Sequence, residues 1–167
     1  MATGDSDVKI GDAGTGTLLI SNGATFVRRT LHVGVQSGST GTITVTGNNS
    51  QMTSAGNWTL RVGQLGSGTL NVLNGAVVDG INNLFVGNVN DGGGTNVFNH
   101  AGVGSIYISG GSRLSTASSG RIGNRPGTTG LVSVSGISSR FEMGSFLHVG
   151  SGGNGTLEVL NGATATV

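Results

Sequence analysis

Short runs in which apolar and polar residues alternate recur along the whole chain, and nearly every run ends on a glycine. The first set comprises Val8/Ile10, Leu31/Val33, Leu60/Val62, Leu84/Val86, Ile122 and Leu147/Val149. Alternation with period two marks a half-buried strand, with one residue facing in and the next facing out. A second set follows the first at a short distance: Leu18/Ile20, Ile43/Val45, Leu70/Val72, Ile106/Ile108, Val132/Val134 and Leu157/Val159. A looser third set holds Phe26, Met52, Val78, Leu114 and Phe141. No segment carries the 3.6-residue period of an amphipathic helix, so no helix is expected.

These runs are parts of one repeating phrase. Its clearest copies lead from Leu60 through Gly63 and Gly68-Thr69-Leu70 to Asn74-Gly75-Ala76, and from Leu147 through Gly150 and Gly155-Thr156-Leu157 to Asn161-Gly162-Ala163. The glycines that end the first strand are Gly11, Gly34, Gly63, Gly87, Gly123 and Gly150, with separations of 23, 29, 24, 36 and 27 residues. A period of that length with three strands in it implies stacked coils rather than one irregular core. The expected fold is all-β: a parallel β-helix, or β-solenoid, of about six coils with three short strands per coil. At ~4.8 Å per coil the stack is a rod of only ~25–30 Å. Residues 1–7 read as a polar N-terminal stub and 8–167 as one repeat domain. Asn22-Gly23, Asn74-Gly75 and Asn161-Gly162 fall where the second strand must bend into the third, a corner that needs left-handed backbone. Asparagines stacked there have the chemistry for a hydrogen-bonded ladder.

Composition narrows the field. Glycine supplies 34 residues and proline one, while only 9% of the chain is charged and 4% aromatic. The period-two apolar pattern separates it from a flexible Gly/Ser linker. A net charge of +1 gives no global attraction for nucleic acid or an anionic membrane. Cysteine is absent, which removes disulfide and thiolate chemistry. No apolar run approaches the ~20 residues of a membrane helix, so this chain is not expected to be membrane-embedded. Met1-Ala2-Thr3-Gly4-Asp5 has neither the basic start nor the apolar run of a signal peptide. If the native protein is exported, the chain is a fragment of it.

The phrases Leu60-Arg61-Val62-Gly63, Gly66-Ser67-Gly68-Thr69-Leu70 and Asn71-Val72-Leu73-Asn74-Gly75 resemble the repeat of type V secretion autotransporter passengers, also found in proteins tied to PEP-CTERM sorting. The resemblance runs from Val8 to Val167. It implies a right-handed β-helix displayed outside an outer membrane, at the cell surface or extracellular, often within an adhesin or virulence factor. The family's signal peptide and C-terminal membrane barrel are not part of this sequence.

Catalysis finds little support in the residues. Enzymes on β-helices, such as pectate lyases, need clustered carboxylates. Here Asp5, Asp7, Asp12, Asp79, Asp91, Glu142 and Glu158 are spread over different coils and different positions within the coil, and the one close pair, Asp5-x-Asp7, lies in the polar N-terminal stub. No calcium-roll nonapeptide, nucleophile elbow or phosphate-binding loop is present, so no catalytic residue, metal ligand or cofactor is assigned. The three Asn-x-Ser/Thr sequons, at Asn48, Asn57 and Asn154, are what this composition yields by chance. The Thr42-x-Thr44-x-Thr46 spacing occurs once, without the repeated array that ice binding needs.

The outward position of the first strand is more informative. Coil by coil it holds Lys9, His32, Arg61, Phe85, Arg121 and His148, one column in a parallel stack. His32 and His148 read as solvated histidines on a strand, and exposed cations also discourage lateral association of sheets. The same ridge of cations around one aromatic suits an anionic glycan or another acidic surface polymer. The second irregularity is the interval from Gly87 to Ile106, 19 residues against 7 from Gly63 to Leu70. It reads as an inserted loop over about residues 88–104, with Asp91, Phe98 and His100 as contact residues. The expected role is a structural, non-enzymatic display segment of an adhesin passenger, a rigid stalk with glycan or host-surface contact. A pectate-lyase-like enzyme and a self-assembling fibre unit joined by its coil ends are the alternatives.

Overall fold

The computed structural model describes residues 7–54, 56, 58–88 and 102–167. Among them every regular element is a strand. The first coil contains β1 (Val8–Ile10), β2 (Thr15–Ser21) and β3 (Thr25–Val27), and the second β4 (Thr30–Val33), β5 (Thr40–Thr46) and β6 (Gln51–Thr53). Then come β7 (Trp58–Val62), β8 (Ser67–Leu73), β9 (Val77–Val86), β10 (Val103–Ser109) and β11 (Arg113–Ile122). The last elements are β12 (Thr129–Ser135), β13 (Arg140–Met143), β14 (Leu147–Val149), β15 (Asn154–Leu160) and β16 (Thr164–Thr166). All pair in parallel with the equivalent strand of the next coil, forming a β-solenoid.

One sheet has six strands, in the order β15-β12-β10-β8-β5-β2, so every coil contributes one seven-residue strand to the second face. Its register is unbroken: Leu18, Ile43, Leu70, Ile106, Val132 and Leu157 form one inward ladder, and Ile20, Val45, Val72, Ile108, Val134 and Val159 the next. The other sheet has ten strands and serves both remaining faces. The expected three separate strands per coil therefore hold only in part. β9 and β11 are ten residues long because the third-face strand of one coil runs without a break into the first-face strand of the next. The bend is taken up by register shifts at Trp58/Thr59, Leu114/Thr116 and Thr116/Ser119 rather than by a turn.

The core is the stack of inward ladders. Leu31, Leu60, Leu70, Val72, Val78, Ile106, Leu114 and Phe141 are all fully buried, each contributing roughly 1.5–3 kcal/mol. The third-face ladder Phe26–Met52–Val78–Leu114–Phe141 is in the anticipated register. A further inward column, Trp58–Ile81–Thr116–Met143, fills the bend. There Thr116 Oγ1 donates to Met143 Sδ at 3.3 Å. Gly120 stands where the first-face ladder otherwise has Leu84 and Leu147, and the space of its missing side chain is taken by Met143, whose Sδ lies 2.7 Å from the position of a Cβ.

The corners behave as glycine and asparagine chemistry dictates. Asn22, Asn74 and Asn161 have φ of 57°, 58° and 55°, in the left-handed region. The side chains of Asn74 and Asn161 do not form the ladder of asparagines that stacking suggested. Asn74 Nδ2 donates instead to Thr46 Oγ1 at 3.0 Å, and Asn161 Nδ2 to Ser135 Oγ at 2.9 Å, each reaching a hydroxyl of the preceding coil. Gly63 shows why the first corner takes no other residue. Its φ is 72°, and a Cβ there would sit 2.0 Å from the Val103 carbonyl oxygen of the next coil. At the inserted segment, Val103 and Gly104 already belong to β10, so the loop expected over residues 88–104 ends before them.

Candidate functional site

The six outward residues of the first face stand in one ladder. Lys9 pairs with His32, His32 with Arg61, Arg61 with Phe85, Phe85 with Arg121 and Arg121 with His148. Parallel pairing places successive side chains ~4.8 Å apart, close enough for long side chains to stack on the neighbouring rung. They do so around Phe85. The Arg61 guanidinium carbon lies 5.5 Å from the Phe85 ring centroid and that of Arg121 5.7 Å from it. Arg121 also lies 5.3 Å from the ring of Phe146, which in turn packs 4.8 Å from the ring of His148. Guanidinium–aromatic contacts of this kind contribute roughly 0.5–1 kcal/mol each where exposed. Phe146 was not among the residues expected here. It precedes the first-face strand rather than occupying it, so the alternation does not mark it.

His32 departs from the expectation of a solvated histidine. Only 8% of it is exposed. Its Nδ1–H donates to Gln64 Oε1 at 2.7 Å, and Nε2 faces Asp7 Oδ2 at 3.7 Å. Burial is the main influence on its pKa and pulls it below the ordinary histidine value. The Gln64 hydrogen bond opposes this, Arg61 lowers it further, Asp7 raises it and Lys9 lowers it. His32 is therefore a neutral, structural rung near pH 7, while His148 is the exposed one. Gln64 lies in the turn after β7, one coil away, which is why nothing in the His32 strand announces its cover.

The permanent cations of the column are Lys9, Arg61 and Arg121. Lys9 is exposed and pairs with Asp12 at 3.4 Å, a surface contact that adds little stability. Arg61 is half-buried, and burial, partly offset by Asp7, lowers its pKa without discharging it. Its Nε is shielded from solvent with no acceptor among the described residues. Its guanidinium carbon lies over the Phe85 ring, so the cation is backed by an aromatic face.

A second polar network lies on the outside of the third face. Gln51 Nε2 donates to Asp79 Oδ1 and Oδ2 at 3.3 and 3.2 Å. Arg113 donates through Nη2 to Asp79 Oδ2 and through Nη1 to Glu142 Oε2, both at 3.5 Å. A shallow groove beside it is lined by Asn48, Asn49, Gln51, Asp79 and Arg113 among others. Asp79 and Glu142 are 63 positions apart in a chain whose coils differ in length, so their convergence on one guanidinium was not visible as a spacing. Both carboxylates accept from Arg113, an arrangement that ties three coils together.

Asp91, Phe98 and His100, the expected loop contacts, lie outside the described residues. Among the described residues, no group of three or more His, Asp or Glu side chains comes together to hold a metal ion. Among them no helix is long and apolar enough to cross a membrane. No protein family, curated protein or solved structure matches the chain, so the ladder from Lys9 to His148 stands on its own geometry as the candidate site.

Proposed function

We propose that the chain is a display segment of an exported, autotransporter-type adhesin passenger at the bacterial cell surface, a rigid stalk whose first face contacts an anionic glycan. The observation that carries this reading is the register of the column, in which Arg61, Phe85 and Arg121 occupy consecutive rungs and stack on one another. Two guanidinium groups held about two rungs apart, ~9.5 Å, on either side of a ring present fixed positive charge along a line. A linear polymer with regularly spaced carboxylates or sulfates complements such a line, and bidentate guanidinium contacts suit both groups. The resemblance of the repeat to autotransporter passengers supplies the cellular setting. The reading includes no catalysis, because the carboxylates Asp79 and Glu142 are each engaged by Arg113.

The test is salt elution from a heparin column, with folding of each variant followed by far-ultraviolet circular dichroism. Arg121→Ser should elute at clearly lower salt than the parent protein, and the Arg61→Ser/Arg121→Ser double variant should lose most of its retention. Unchanged retention of a folded double variant removes the glycan reading.

A further inference from the structure

The corner between the second and third faces comes in two lengths. The third and fourth coils turn it in three residues, 74–76 and 110–112, whereas the second and fifth use four, 47–50 and 136–139. The extra residue makes the longer corners stand out: Asn48 and Asn49 on one, and Ile137 and Ser138 on the other, are exposed. Two low corners therefore lie between two high ones that are three coil spacings apart, ~14 Å. The floor between them is bare. Gly75, Gly110 and Gly111 form much of it, and a Cβ on Gly111 would meet nothing within 4 Å. The Asn48 side chain leans in over this floor, since a Cβ on Gly75 would strike its Oδ1. The groove beside Arg113 opens here, with a volume of about 720 Å³.

The groups that face the groove are planar, polar and uncharged on balance. The amides of Asn48 and Asn49 make no side-chain hydrogen bond among the described residues. Gln51 gives its Nε2 hydrogens to Asp79, which leaves its Oε1 as an acceptor. The Arg113 contacts to Asp79 and Glu142 are both long, at 3.5 Å, so a further acceptor can compete for its N–H groups. Asp79 and Glu142 offset the charges of Arg113 and of Arg140 on the next rung. An anion therefore gains nothing here from net charge, unlike on the first face. Amide and guanidinium groups each set two polar atoms in one plane, which suits a pair of neighbouring hydroxyls. A peptide would need an open sheet edge or apolar pockets. Strands β6, β9 and β11 are paired on both sides, and Val77 is the one aliphatic side chain lining the groove.

We infer that this trough holds a neutral hexopyranose unit of a glycan, with Asn48, Gln51 and Arg113 hydrogen-bonding its hydroxyls. The site lies on the third face and shares no residue with the column from Lys9 to His148. It is independent of whether the first face binds an anionic polymer. Because hydrogen bonds to a neutral ligand carry it, salt has little effect on it.

The test is titration of neutral tetrasaccharides of glucose, mannose and galactose into isotope-labelled protein. With at least one of them, the side-chain amide signals of Asn48 and Gln51 and the Arg113 Nε–H signal should move at concentrations on the order of millimolar. The midpoint should be the same at low and high salt. The Asn48→Ala/Gln51→Ala double variant should bind about tenfold more weakly, while its heparin retention stays at the parent value. Asn48→Ala alone removes an exposed group without an internal partner, so it should fold as the parent does and show part of the same loss. Signals that stay still with all three sugars overturn the inference. So does a folded Asn48→Ala variant that binds as tightly as the parent, or a midpoint that moves steeply with salt.

Discussion

The outward columns of the first and second faces are built over the same kind of core and share one pairing geometry, yet they carry different chemistry. On the second face the outward ladder runs Leu19, Thr44, Asn71, Tyr107, Ser133 and Glu158, an apolar, two hydroxyl, an amide, a phenol and a carboxylate side chain without common character. On the first face four of the six rungs from Lys9 to His148 are Lys, Arg or exposed His, and the ring between the two arginines stacks with both. The inward ladders beneath both faces are aliphatic, interrupted on the first face by Gly120. Stacking thus constrains the inside of every coil alike and leaves the outside free. Coherent chemistry on one outer column, set against none on the other, is the basis for proposing a glycan contact on the first face.

The most severe way to break the comparison is through what both faces share. Leu70 is fully buried in the third coil, and Leu70→Ala should destabilise the chain by about 2–5 kcal/mol, lowering the denaturant midpoint and loosening both faces together. Acid acts on the first face alone through His32. Its pKa is lowered in the fold, so between that value and the ordinary histidine value the unfolded chain binds the extra proton. Stability contributed at this position is present above the ordinary value of ~6.5 and lost as pH falls through the folded one. His32→Gln should flatten that part of a stability-against-pH curve measured by urea unfolding. The smallest effect belongs to the second face. Tyr107→Ser, at a 40% exposed rung, should change stability by no more than ~0.5 kcal/mol and leave heparin retention as it was.

Much of this architecture was legible in the chain because period-two alternation and the fixed Gly-Thr-Leu spacing determine register together. Leu70 could be placed beside Ile43 and Ile106, and Arg61 beside His32 and Phe85, without any structure. The bend column was not legible. Trp58, Ile81, Thr116 and Met143 share no residue type, and the register shifts around them break the period that would have aligned them. Gly120 hid its slot for a related reason, since the side chain filling it, Met143, comes from the following turn of chain. Within the site, alternation reports which side of a strand a residue occupies but not what covers it. His32 was placed correctly and yet is buried, because Gln64 and Asp7 reach it from other parts of the chain. Arg113 with Asp79 and Glu142 depends on coil lengths that vary, so their meeting required the stack itself.

The contrast between the two outer columns can be read most directly by titrating a short heparin oligosaccharide into isotope-labelled protein and mapping amide and side-chain shifts. Perturbations are expected at Arg61, Phe85, Arg121 and His148, strongest around the two guanidinium groups, with Thr44, Asn71, Tyr107 and Ser133 silent. Shifts centred on the second face, or a spectrum unchanged at saturating oligosaccharide, would contradict the first-face contact.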